Sequence, residues 1–204
     1  MPRFPPGVQP DQFGEDAPIK RGVPDGLQRR WHKNGQLWEE RPYSRGILNG
    51  TCRNWDANGH PLAADELQNG TGVLHSFHPD GRLRSECPYI LGRKNGVERQ
   101  WYPGGQLEAD TAYEAGVTEG WSRFYFRDGR LSQEGFCRGG KAYGVLRNWD
   151  EGDGQYTERT PTYYVESNPV SAEEFARLAK DDRDLRRSLD SLSAQAAPAA
   201  TGSQ

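Results

Sequence analysis

Six cations share one repeated position: Arg29, Arg53, His75, Arg99, Arg123 and Arg147 each lie three residues after a glycine and two before an aromatic. Residues two apart on a strand share a face, so each cation would stand beside Trp31, Trp55, Phe77, Trp101, Tyr125 or Trp149 within reach of a cation–π contact. Such a row could grip an acidic protein, a phospholipid headgroup or a glycan. It could equally cover ring surface and pair with local carboxylates. The candidate partner-binding residues are therefore Arg29, Arg53, His75, Arg99, Arg123, Arg147, Trp31, Trp55, Trp101 and Tyr125.

The other reactive side chains point away from catalysis. Carboxylates recur at one repeat position as Glu40, Glu86, Asp110 and Glu134. A glycosidase needs two carboxylates around one cleft, whereas one per unit is what a structural role produces. Cys52, Cys87 and Cys137 fall in different repeats, an odd and dispersed set that suits reduced thiols used as small apolar packers. His75 and His78, three apart on a strand, point to opposite faces. No Cys/His ligand cluster, phosphate loop, nucleophile elbow or dinucleotide fingerprint is present, so the expectation is a non-enzyme with no catalytic residue, no metal and no cofactor.

The elements that position these residues repeat as well. The lead glycines Gly26, Gly50, Gly72, Gly96, Gly120 and Gly144 step by 24, 22, 24, 24 and 24 residues, the signature of a repeat architecture. A second glycine follows each of the first five aromatics by four residues (Gly35, Gly59, Gly81, Gly105, Gly129), the sixth unit blurring into Asp153-Gly154, and a third comes eleven later (Gly46, Gly70, Gly92, Gly116, Gly140). The intervening segments are short, aromatic-rich and glycine-bounded, and read as strands. Asn34-Gly35, Asp80-Gly81 and Asp128-Gly129 are hairpin signals, so each unit is one β-hairpin. In unit two the two missing residues lie between Gly70 and Gly72, outside the hairpin frame.

Two registers compete, a two-residue type I′ turn and a three-residue type I turn closed by a glycine bulge. Pro79 and Pro103 favour the three-residue form, where each supplies the preset φ of the first central position. In that register Leu27, Arg29, Trp31, Leu37 and Tyr43 share one face, the expected core, and Glu40, Glu86, Asp110 and Glu134 occupy the other. The two-residue form would instead place Arg29 opposite Glu40, His75 opposite Glu86, Arg99 opposite Asp110 and Arg123 opposite Glu134, neutralising the ladder internally.

The expected fold is an all-β repeat protein, an elongated open antiparallel sheet of tandem β-hairpins, about six repeats of about 24 residues, with a short C-terminal helix. Residues 1–18 read as a disordered Pro-rich tail, 19–160 as the hairpin array, 161–187 as a strand and capping helix, and 188–204 as a disordered Ala/Ser-rich tail. The helix start is marked by Ser171 and Glu174 as a capping box and by Val170 against Phe175 as a staple, with the charged run Asp181 to Asp184 as its early end. It would cover the last strand edge or dock a partner. A formal charge of -3 argues against a general nucleic-acid binder, no segment suits a membrane span, and the N-terminus lacks a signal-peptide core, so a cytoplasmic location is the expectation.

The unit G-VERQ-W-YPG-G-QL-EADTA-Y-EA-G resembles the MORN-repeat variant of bacterial proteins, some labelled as the antitoxin component of a YwqK-type toxin–antitoxin module. The likeness spans about residues 22–154. It implies an open hairpin array that acts by binding and supplies no catalytic residues. The expected role is a bacterial protein-interaction module, antitoxin- or immunity-like, whose partner is a protein such as a toxin. A glycan- or anionic-lipid-binding array is the alternative.

Overall fold

The computed structural model describes residues 15–16, 18–152 and 155–195, and these form two compact units. The first holds residues up to Gly116 together with Arg127–Gly129, and the second holds Val117–Phe126 and the chain from Arg130 onward. Both are antiparallel hairpins in tandem. The first four pair Gly26–Trp31 with Leu37–Ser44, Gly50–Asn54 with Asp65–Leu67, Gly72–Phe77 with Leu83–Ile90, and Gly96–Trp101 with Leu107–Glu114. The second unit adds Val117–Tyr125 with Leu131–Arg138 and Gly144–Gly152 with Gln155–Glu158.

The tips of the first, third and fourth hairpins take the three-residue form. The amides of Gly35, Gly81 and Gly105 donate to the carbonyls of His32, His78 and Tyr102 at 2.9, 2.9 and 2.8 Å, and Pro79 and Pro103 hold the first central position. Trp31 accordingly faces Leu37. A second irregularity follows at once: Trp38 is an extra residue, and pairing resumes as Arg30↔Glu39 and Arg29↔Glu40. Arg84, Glu108 and Ser132 are the same extra residue in the third, fourth and fifth hairpins.

This bulge overturns the expected faces, because one inserted residue flips the alternation of everything beyond it on that strand. Arg29 and Glu40 share a face, and Tyr43 lies on the other. In the first unit the face away from the ladder buries Gln28, Glu39, Arg41, Cys52, Asn54 and Cys87, with Tyr43 and Tyr89 half-buried among them.

Two-residue turns do occur, at the junctions between consecutive hairpins. Arg45-Gly46 has both φ values positive, 50° and 84°, the I′ form. These turns also stack: Gly46, Gly70, Gly92 and Gly116 N–H groups donate to Pro24, Leu48, Gly70 and Lys94 carbonyls at 2.7, 2.7, 2.9 and 2.8 Å. Elsewhere consecutive hairpins pair at only two residues each, Glu39↔Asn54 with Glu40↔Arg53, and Ser85↔Gln100 with Glu86↔Arg99.

The expected single sheet is interrupted within the first unit. A six-stranded sheet ends at Asp65–Leu67, and another begins at Gly72–Phe77, where the short junction leaves only the bridge Gln68↔Thr71. There the His75 N–H donates to the Asp65 carboxylate at 2.7 Å in place of a ladder carbonyl.

In the second unit Thr162–Val165 pairs with Gly144–Leu146 and so covers that strand's edge. Two helices follow rather than one, Ala172–Leu178 and Arg183–Gln195. Ser171 Oγ accepts the Glu174 N–H at 3.1 Å as expected, while Asp182, read as a helix stop, also caps the second helix by accepting the Asp184 and Leu185 amides. The helices pack on a sheet face, not an edge, where Phe175, Ala179 and Leu185 meet Phe136, Tyr143 and Val145. Ser188 to Gln195 are thus helical rather than tail, and 196–204 lie outside the described residues. Of the tail expected at 1–18, Glu15–Asp16 is a strand beside Arg29 and Arg30, and residues 1–14 and 17 are likewise outside.

Gly70 is the tightest joint in the stack. A Cβ there would lie 2.3 Å from the Gly92 amide and 2.7 Å from Ile47 Cγ2, at a φ of +73°. At Gly105, φ +87°, a Cβ would meet open space. Gly105→Ala should cost about 1–2 kcal/mol, the left-handed strain alone. Gly70→Ala should cost well beyond that, read as a lower urea midpoint at unchanged slope.

Candidate functional site

The bulge gives the basic ladder its geometry. Three ladder carboxylates stand opposite an arginine or histidine of their own hairpin and, across the junction, opposite the cation of the next: Glu40 between Arg29 and Arg53, Glu86 between His75 and Arg99, Glu134 between Arg123 and Arg147. The side chains meet accordingly. Arg29 Nε lies 2.8 Å and Arg53 Nη1 4.0 Å from Glu40, and Arg99 Nη1 lies 2.7 Å from Glu86. His75 Nδ1 takes Asp65 at 2.6 Å and its Nε2 is 3.9 Å from Glu86. Arg123 and Arg147 reach Glu134 at 2.9 and 3.4 Å, and Arg147 also forks onto both oxygens of Glu158 at 2.7 and 2.9 Å.

The ladder faces differ between the units. In the first unit Arg29, Arg53 and Arg99 are 40%, 51% and 48% exposed. In the second, Arg147 and Glu134 are buried, Arg147 lying 4.7 Å over the Trp149 ring, and the C-terminal helices cover the neighbouring residues of that face. Among the expected aromatic anchors Trp31 is buried, and Trp55, Trp101 and Tyr125 are half-buried. Their rings serve the hairpins at least as much as the surface.

Tip contacts join neighbouring hairpins in a way the sequence reading missed. His32 Nε2 and His78 Nε2 hydrogen-bond the carbonyls of Trp55 and Trp101 at 2.9 and 2.8 Å, each reaching the aromatic of the following hairpin. The signal was a histidine six residues after the lead glycine in both units. Beside His32 a shallow cleft of about 440 Å³ is lined by Trp38, Ala57 and Pro79.

The opposite face of the first unit encloses a smaller cavity of about 220 Å³ whose charges are matched in place, Arg41 to Glu39 at 3.1 Å and Lys94 to Glu98 at 2.6 Å. Burial pushes the Cys52 thiol up and the Cys87 thiol up to about 11, which keeps both protonated and poorly nucleophilic near neutrality. Among the described residues no group of three or more His, Cys, Asp or Glu side chains is placed to hold a metal ion, and no helix is long and apolar enough to cross a membrane.

These features define a class: an all-β repeat protein of tandem antiparallel hairpins that carries short C-terminal helices. The family model described as the MORN repeat variant matches residues 24–45 and 94–115, the first and fourth hairpins, each from two residues before the lead glycine to the residue before the junction glycine. No curated protein matches the chain.

Burial separates the ladder triads energetically. Glu134→Ala should destabilise the second unit by roughly 1–3 kcal/mol, since it removes a buried carboxylate that takes Arg123 and Arg147 while Glu158 stays on Arg147, whereas half-buried Glu86→Ala should cost about 0–1 kcal/mol in the first. Denaturant titration of the two variants checks this ranking. Burial, and then the hydrogen bond its hydroxyl donates to Asp182, raise the Tyr143 phenol to about 12, with Arg138 above the ring opposing. A raised pKa stabilises the fold fully below the unfolded value of about 10, and that stabilisation fades as pH rises toward 12. Tyr143→Phe should remove this part of the alkaline loss of stability, measured as the slope of thermal midpoint against pH over that window.

Proposed function

We propose that the chain is a non-catalytic protein-interaction module of the bacterial cytoplasm, antitoxin- or immunity-like, that masks a partner protein with the exposed ladder of its first unit. The carrying observation is the combination of exposure and fixed geometry at Arg29, Arg53 and Arg99, each held by a carboxylate opposite it. Arginine held in place loses little rotamer entropy on binding, and arginine is among the residue types enriched at binding hot spots. The antitoxin reading draws on the resemblance of the repeat unit, and the interaction reading on the MORN repeat variant match. The alternating charges give the ladder little net positive potential, which weighs against an anionic membrane as its target.

The test is affinity capture from the native cell with the wild-type chain and with Arg53→Ala/Arg99→Ala. Both residues are half-exposed, so the variant should keep its β-sheet circular dichroism. Capture of one defined protein, reduced roughly tenfold or more by the double variant, is the expected result. Equal capture by both chains would remove the ladder from the interface, and capture of vesicles instead of a protein would favour the lipid alternative.

A further inference from the structure

The outer face of the third and fourth hairpins carries an apolar row beside its ladder. Val73 stands opposite Pro88 and Val97 opposite Ala112. Ile90 lies two residues beyond Pro88 on the same side of its strand, and Pro88 touches the spot where a Cβ on Gly96 would sit, at 3.2 Å. Val73, Ile90 and Val97 are 43%, 47% and 37% exposed.

The equivalent repeat positions are covered in the second unit. There Trp121 stands opposite Phe136 and Val145 opposite Tyr163, and Phe175, Leu178, Leu185 and Leu189 of the two C-terminal helices pack onto that row. The same chain therefore contains one copy of this row seated under helices and one copy open.

We propose that the open row of the third and fourth hairpins is a docking surface for an amphipathic helix of a partner protein. The proposal rests on the partner-binding reading above and names the occupant. Adjacent strands are about 4.8 Å apart and a helix rises about 5.4 Å per turn, so a helix laid across the strands sets one apolar side chain per turn over each successive strand. Its anchors would recur at i, i+3 or i+4, and i+7. Val73, Pro88 and Ala112 stand where the second unit has Trp121, Phe136 and Tyr163, so the row leaves room for large anchors such as Leu, Phe or Trp. Arg99 and Glu86, joined at 2.7 Å alongside, supply the polar rim that lines such a patch.

The experiment selects binders to the full-length chain from a displayed library of random peptides about 14 residues long, roughly four helical turns. The expected binders carry apolar residues at helical spacing, become helical on binding, and lose roughly tenfold or more in affinity to Val73→Asp/Val97→Asp, with a smaller loss for Val73→Thr/Val97→Thr. The threonine pair keeps the β-branched shape and guards against unfolding. Binders with extended or proline-rich motifs, or helical binders indifferent to both variants, would overturn the proposal. So would a concentration-dependent dimer abolished by the aspartate pair, which assigns the row to a second copy of the chain. Loss of native capture in Arg53→Ala/Arg99→Ala without valine-dependent helical binders overturns the helical occupant alone. Valine-dependent helical binders with unimpaired capture overturn only the arginine anchors.

Discussion

The structure depends on a carboxylate placed opposite two cations at once. That placement requires an odd residue count at two points of a hairpin, the glycine-closed tip and the bulge just behind it, and the first, third, fourth and fifth hairpins carry that bulge. Either alone would turn Glu40 to the face away from Arg29. Together they restore the alternation and bring Glu40, Glu86 and Glu134 onto the strand position where the hairpin's own cation and that of the next both lie opposite. Consecutive hairpins share only two paired residues at this joint, so one of every two inter-hairpin pairs is a cation–carboxylate pair. Charge pairing, turn geometry and repeat stacking are therefore one constraint, not three.

The same ladder has different weight in the two units because its surroundings differ. Exposed pairs of the first unit hold geometry while contributing little to stability. In the second unit Glu134 and Arg147 are out of water, and the fork of Arg147 onto Glu158 completes a set in which no charge is left without an opposite. The C-terminal helices pack beside it, fixed by Asp182, which accepts two amides at the start of the second helix and takes Arg138 and the Tyr143 hydroxyl with its other oxygen. One side chain thus ties helix start to sheet.

Much of the fold was legible because it is written in spacing. Glycine intervals gave six hairpins, and Pro79 and Pro103 gave the tip geometry. What was not legible was the bulge, because Trp38, Arg84, Glu108 and Ser132 share no chemistry; the position is specified by backbone count, not residue type. Two registers therefore looked exclusive when the chain uses one at the tip and recovers the charge pairing of the other beyond it. The basic ladder was visible as a row, but its exposure was not, since exposure turns on which face the helices cover, and the apolar stripe of Phe175, Leu178, Leu185 and Leu189 fits an edge or a face equally well. The break after Leu67 was visible as two missing residues, yet its effect on the sheet was carried by Asp65, a residue with no repeat signature.

The junction turns have a consequence for how such a chain changes over time. The first unit's turn stack runs through main-chain N–H and C=O groups, from Gly46 to Pro24 and onward to Gly116 and Lys94. Side-chain identity scarcely enters these links, so a whole hairpin can be duplicated or deleted in register and the flanking hairpins meet through the same contacts as before. The array is modular in length. A gene encoding it can lengthen or shorten the sheet by whole hairpins without first evolving a new interface between them.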